Sequence, residues 1–188
     1  PLVRARGLEV ASRLGRAGFD LIWAALEDRD AATRHAAIQL AARKLPAARL
    51  LEGVAVEANS ALRTACIDAL KQKGAPAVPV LRRGTVSEDP DVVLFTLQIL
   101  GAMPEEDAAP ILLGFLSHPD LNIAQAAVAS LGDLKCRRAV GPLLELLEGE
   151  LWLRFAAILS LGRIGDSRAT LELLKMAGDE SLGTTALE

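Results

Sequence analysis

Residues 151–162 read Leu-Trp-Leu-Arg-Phe-Ala-Ala-Ile-Leu-Ser-Leu-Gly, and Ile158 within that stretch has counterparts all along the chain. Leu8, Ile38, Ile67, Leu97, Val128 and Ile158 form a column at intervals of 30, 29, 30, 31 and 30 residues. Self-similarity at this period marks a solenoid, in which each unit buries its apolar face only against its neighbours. Three more columns run beside the first. Val3, Thr33, Leu62, Val92, Ile123 and Leu153 precede it; Gly7, Ala37, Cys66, Thr96, Ala127 and Ala157 stand one residue before it; Ala11, Ala41, Leu70, Leu100, Leu131 and Leu161 stand three after. Counted from Leu153, the later three fall at +4, +5 and +8, one face of a 3.6-residue helix. Each unit therefore ends in an amphipathic helix of about three to four turns.

A shorter helix fills the other half of each unit, over 19–27, 47–56, 76–85, 106–117, 138–148 and 167–176. Pro79, Pro110 and Pro142 recur near matching places in three of them; proline is tolerated in a first helical turn and kinks a helix beyond it. Asp30, Asn59, Asp89 and Asp120 stand just before the second helices, where a side-chain oxygen can cap free backbone N–H groups. Gly15, Gly74 and Gly165 fall one helix length later, where a left-handed terminal residue is expected. Strand patterning is absent, so the expected fold is all-α.

The pattern Asp-x-x-aliphatic-Arg-x-x-Ala, with Leu-Gly four residues on, resembles the HEAT repeat, especially its bacterial variety. The residues that carry it are Asp30, Thr33, Arg34 and Ala37, then Leu153, Arg154, Ala157, Leu161 and Gly162, with Leu100–Gly101 and Leu131–Gly132 repeating the ending. The resemblance implies a right-handed α-solenoid of about six helical-hairpin repeats, with the second helices lining a concave wall. The arginine column reads Arg4, Arg34, Arg63, Val93, Ala124, Arg154, so two central units lack a guanidinium that commonly links neighbouring turns in this family. The expected organisation is a single repeat domain over 1–188. The absent initiating Met, and edges (Pro1–Gly15 and Asp166–Leu182) that look like pieces of units, read as a fragment of a longer protein.

With 188 residues of which 51% are hydrophobic, the chain can bury a continuous core. Aromatics are only 3%, so that core is built from Ala, Leu, Val and Ile, as close helix stacking requires. No apolar run approaches the roughly 18 residues of a membrane span, and no apolar segment follows the basic opening Pro1–Gly7 as a signal peptide would require. Cys66 sits in the small-residue column as a buried thiol. Cys136 reads as a plain exposed cysteine, with Arg137 and Arg138 placed to lower its pKa. Their distance in the repeat order argues against a disulfide and for a reducing, cytoplasmic setting. Charge is uneven: +6 through Arg83 and −9 from Gly84 onward, giving the net −3. That asymmetry suits two partner surfaces of opposite preference, weak head-to-tail self-association, or a merely solvated exterior.

Catalytic and metal chemistry find few residues. His35 and His118 stand more than two repeats apart, and neither has a His or Cys neighbour at ligand spacing. His35 reads as a surface residue and His118 as a turn residue. The paired His-Glu motifs of metal-binding HEAT-type hydroxylases are missing. No cofactor is expected, and the chain reads as a non-enzyme. Resemblance leaves two alternatives: a HEAT-like subunit of a bilin chromophore lyase, and a nucleic-acid-binding protein of the DNA-alkylation-repair type. For the latter, Arg4, Arg6, Arg13, Arg16, Arg43, Lys44 and Arg49 could meet phosphates, but the net charge is negative and no aromatics interleave with them.

The leading expectation is a protein-binding scaffold. Removing the core columns leaves solvent-facing sets on the second helices. These are polar in the early units: Ala32, His35, Gln39, Arg43, then Ala61, Thr64, Asp68, Gln72. The last unit instead shows Trp152, Phe155, Leu159 and Arg163. With Leu94 and Gln98 on one earlier helix, and Gln125 with Ala129 on the next, these residues are expected to line a groove for a partner's amphipathic helix. The competing expectation packs Trp152 onto a further repeat, or onto Leu171 and Leu174.

Overall fold

The computed structural model describes residues 2–11, 13, 15–56 and 58–177. The column side chains of Val3 and Ala11 lie outside the description, as do Pro1 and part of the edge segment Asp166–Leu182. Among the described residues there are twelve α-helices and no strand. In chain order they are α1 (Leu2–Ala11), α2 (Arg16–Ala25), α3 (Ala31–Lys44), α4 (Ala47–Val54), α5 (Ser60–Lys73), α6 (Val78–Gly84) and α7 (Pro90–Leu100). They continue with α8 (Glu105–Leu113), α9 (Leu121–Asp133), α10 (Val140–Glu145), α11 (Leu151–Ile164) and α12 (Thr170–Ala177). Two compact units divide the chain, Pro1–Phe95 and Thr96–Glu188.

The helix starts follow from the side chains placed before them. Asp30 Oδ2 accepts from the Thr33 N–H at 2.8 Å and from its hydroxyl at 2.7 Å; Asn59 Oδ1 accepts from the Leu62 N–H at 3.0 Å. Asp89 and Asp120 accept from the N–H groups of Asp91 and Asn122, at 2.9 and 2.8 Å. The arginine column braces two of these turns, and the turn before α11 as well. Arg34 donates to the Asp28 carbonyl at 2.7 Å, Arg63 to Val56 at 3.1 Å and Arg154 to Gly149 at 2.9 Å. Each guanidinium therefore holds the loop that leads into its own helix. Gly165 ends α11 in the left-handed conformation. Gly74 ends α5 at φ 66° and ψ −145°, a region an L side chain rarely enters.

In the first unit α3 packs on α1, α2 and α5, while α4 packs on α5 and α6. Ile22, Leu26, Leu45, Leu50, Leu70 and Leu81 are fully buried there. Small residues set the approach: a Cβ on Gly53 would run into Cys66 Sγ and the Trp23 ring. The Arg49 guanidinium covers that ring at 4.9 Å from its centroid and reaches Asp20 at 3.1 Å.

The second unit is centred on the pair α9 and α11, with α8 packed on α9 and α10 on α11. Two glycines bring backbones together. A Cβ on Gly101 would meet Ser130 Cβ at 2.9 Å, and one on Gly132 would meet Ser160 Cβ at 2.8 Å. Leu97, Val128 and Ile158 are buried, as their column requires. Ile38 and Ile67 depart from that expectation and are only half-buried. For Ile38 the reason is visible: it lines an open cleft between α3 and α5.

Candidate functional site

Helix α11 buries Leu153, Ala156, Ala157, Ile158, Ser160, Leu161 and Ile164, so its remaining face is free to carry other side chains. Trp152 on that face is 69% exposed and Leu159 44%, while Phe155 is half-buried. Arg163 is exposed and reaches Asp133 of α9, Nη1 to Oδ1 at 3.2 Å. Gln98 and Gln125 are exposed in the same unit; Leu94 is half-buried in the first unit.

Comparison with α9 separates two kinds of position on this stripe. Asn122, Gln125, Ala129 and Gly132 stand one 30-residue period before Trp152, Phe155, Leu159 and Gly162. With α11 stacked on α9, Asn122 and Gln125 stay exposed, Ala129 is half-covered and Gly132 is buried. Gly162 is exposed, and among the described residues a Cβ there would meet nothing within 4 Å. Trp152 and Phe155 thus occupy a register that remains open to solvent even beneath a stacked neighbour. Leu159 and Gly162 occupy the register that stacking covers. Leu171 and Leu174 are 71% and 60% exposed, so neither they nor Trp152 are buried against one another.

The polar sets of the early units form recesses in the first unit. His35, Ala61, Thr64 and Asp68 line a cleft of about 570 Å³ between α3 and α5, together with Asp28, Arg34 and Ile38. Further along the same two helices, Gln39, Ala42, Arg43, Gln72, Lys73 and Pro76 line a second cleft of about 610 Å³. Lys73 reaches across from α5 to the end of α3, donating to the carbonyls of Ala42 at 2.7 Å and Leu45 at 2.9 Å. Desolvation lowers its pKa. Nothing in the sequence marks this contact, because backbone carbonyls carry no residue signature.

Among the described residues no three His, Cys, Asp or Glu side chains gather as a metal site. His35 is exposed, with Gln39 Nε2 at 2.9 Å from its Nε2. His118 accepts the Asp120 N–H on Nδ1 at 3.1 Å and stacks on Phe115, which makes it part of the turn. Cys66 is buried as expected, and desolvation followed by the nearby Glu27 pushes its thiol up to about 12. Cys136 corrects the sequence reading: it is fully buried, not exposed. A 3₁₀ turn over Arg137–Ala139 leaves both arginines exposed while the thiol is enclosed. Desolvation, then a hydrogen bond with Glu105, raises its pKa, the opposite of an activated thiolate.

Helical hairpins stacked through a thirty-residue column define an α-solenoid. A family model of HEAT repeats matches residues 47–121 and 114–186, and the chain belongs to the HEAT-repeat family. No curated protein matches the chain. No helix among the described residues is long and apolar enough to cross a membrane.

Proposed function

We propose that this chain is a non-catalytic protein-interaction scaffold that seats a helical segment of a partner protein against the outward stripe of α11. HEAT repeats commonly mediate protein–protein interaction, which supports the class of function. One observation carries the location: Trp152 is 69% exposed at a register whose α9 counterpart, Asn122, also stays exposed under a stacked helix. An indole left in water where stacking does not cover it is the kind of anchor that interfaces use. Phe155 and Leu159 extend the apolar strip, and Gln98, Gln125 and Arg163 supply polar rim contacts.

Trp152→Ala tests the reading. An exposed side chain should cost at most about 0.5 kcal/mol of stability when truncated. Loss of an interface anchor should cost about 2 kcal/mol of binding, roughly thirtyfold in Kd. Affinity capture with the wild type and the variant, run beside melting curves, reads both quantities. A variant that melts as a core truncation does, losing about 3–5 kcal/mol, and still retrieves the same proteins would place the binding surface elsewhere.

A further inference from the structure

The second cleft of the first unit is lined by Arg43 and Lys73. No Asp or Glu occurs from Ala31 to Leu51, nor from Ala69 to Ser87. The last turns of α3 and α5, which lie within those two stretches, carry Arg43 and Lys44, and Lys71 and Lys73. Of these, Arg43 and Lys73 line the cleft, and its other lining residues are Gln39, Ala42, Gln72 and Pro76. Among the described residues the recess therefore holds two cations and no carboxylate. Among the described residues the Lys73 ammonium bonds only the partial charges of two carbonyl oxygens, which leaves one of its three N–H donors uncommitted there. Arg43 is exposed beside it and offers a fork suited to a carboxylate.

We infer that this cleft is a docking site for an acidic peptide segment of a partner protein. A Glu or Asp side chain enters between Arg43 and Lys73, and the side-chain amides of Gln39 and Gln72 bond flanking peptide groups. Charge complementarity selects the occupant. Nucleic acid fits less well: the lining has no aromatic face on which a base could stack, and the Lys73 cation is half-buried, not displayed along a rim. The inference is independent of Trp152, and either site can fail without the other.

The test is fluorescence anisotropy of a labelled decapeptide of alternating Glu and Gly, at low ionic strength, with the full chain. Saturable binding is expected, weakening as salt rises. Arg43→Glu should weaken it about tenfold or more, because it replaces an attraction by a repulsion. Arg16→Glu makes the same charge change outside this cleft and should alter Kd by no more than about twofold. Circular dichroism melts confirm that Arg43→Glu, a change at an exposed position, is folded. Three results would overturn the inference: no saturable binding by the wild type, equal losses in the two variants, or displacement of the peptide by a tighter-binding single-stranded or duplex oligonucleotide. Trp152→Ala should leave peptide affinity unchanged, which keeps the outcome separate from that of the α11 experiment.

Discussion

Alanine in place of Gly132 puts a methyl group into the contact between α9 and α11. That carbon would stand 2.8 Å from both Ser160 Cβ and Oγ, and 2.9 Å from Ser160 Cα. Ordinary carbon contacts are about 3.5–4.0 Å, so roughly 0.7 Å or more must be recovered. The hydroxyl can rotate away, but the Cα cannot, and the two helices have to separate. Such overpacking costs about 1–3 kcal/mol, and a clash with backbone belongs at the upper end. Alanine returns about 1 kcal/mol through helix propensity, leaving a net loss of about 1–2 kcal/mol. For a chain of this size that lowers Tm by roughly 2–8 °C. Gly162→Ala supplies the internal control. It occupies the same register on α11 with nothing within 4 Å among the described residues, so there the propensity term stands alone and the protein gains up to about 1 kcal/mol. Thermal and urea denaturation followed by circular dichroism measure both. Two substitutions of equal sign, or Gly132→Ala as stable as the wild type, would refute the close approach and the register drawn from it.

Two further expectations concern titrating groups. Cys66 and Cys136 are fully buried with raised pKa values, so at pH 8 a thiol reagent should modify the native protein only as fast as it unfolds; a fast phase of one equivalent would contradict the packing. Asp166 is held down to about 2, chiefly by its side-chain hydrogen bond with Arg168 and then by the Arg168 N–H. A depressed carboxylate contributes stability above its unfolded value of roughly 3.9 and loses it as pH falls from there through about 2. NMR titration of the Asp166 carboxyl should give a midpoint near 2 that rises in Arg168→Ala, and an ordinary midpoint in the wild type would exclude the contact.

What the sequence disclosed was what repeats. Asp30, Asn59 and Asp120 each act within three residues of themselves, so their capping roles were legible from position alone. Leu97, Val128 and Ile158 were legible because a helical face recurs at a fixed period. The same column misled at Ile38, since periodicity places a residue on a face without measuring how closely the next helix approaches it. Cys136 was misread from its basic neighbours because its partner, Glu105, lies 31 residues away with no spacing rule to connect them. Trp152 was legible as an apolar residue left over from the core. The cationic cleft was only half legible: Arg43 stood among the outward residues, but Lys73 reaches its place through bonds to main-chain oxygens.

The way the arginines are used bears on how such a chain can change length over evolution. Arg34, Arg63 and Arg154 each bind a carbonyl five to seven residues earlier, and the caps reach only two or three residues ahead. A segment copied with its turn therefore carries the capping and guanidinium bonds that shape that turn. What a duplicated repeat must match is its neighbour, where Gly132 admits Ser160 and where Lys73 and Arg163 reach groups about one period earlier. Gain and loss of whole repeats is thus chemically inexpensive at the turns, and the constraint on copy number falls on the contacts between successive repeats.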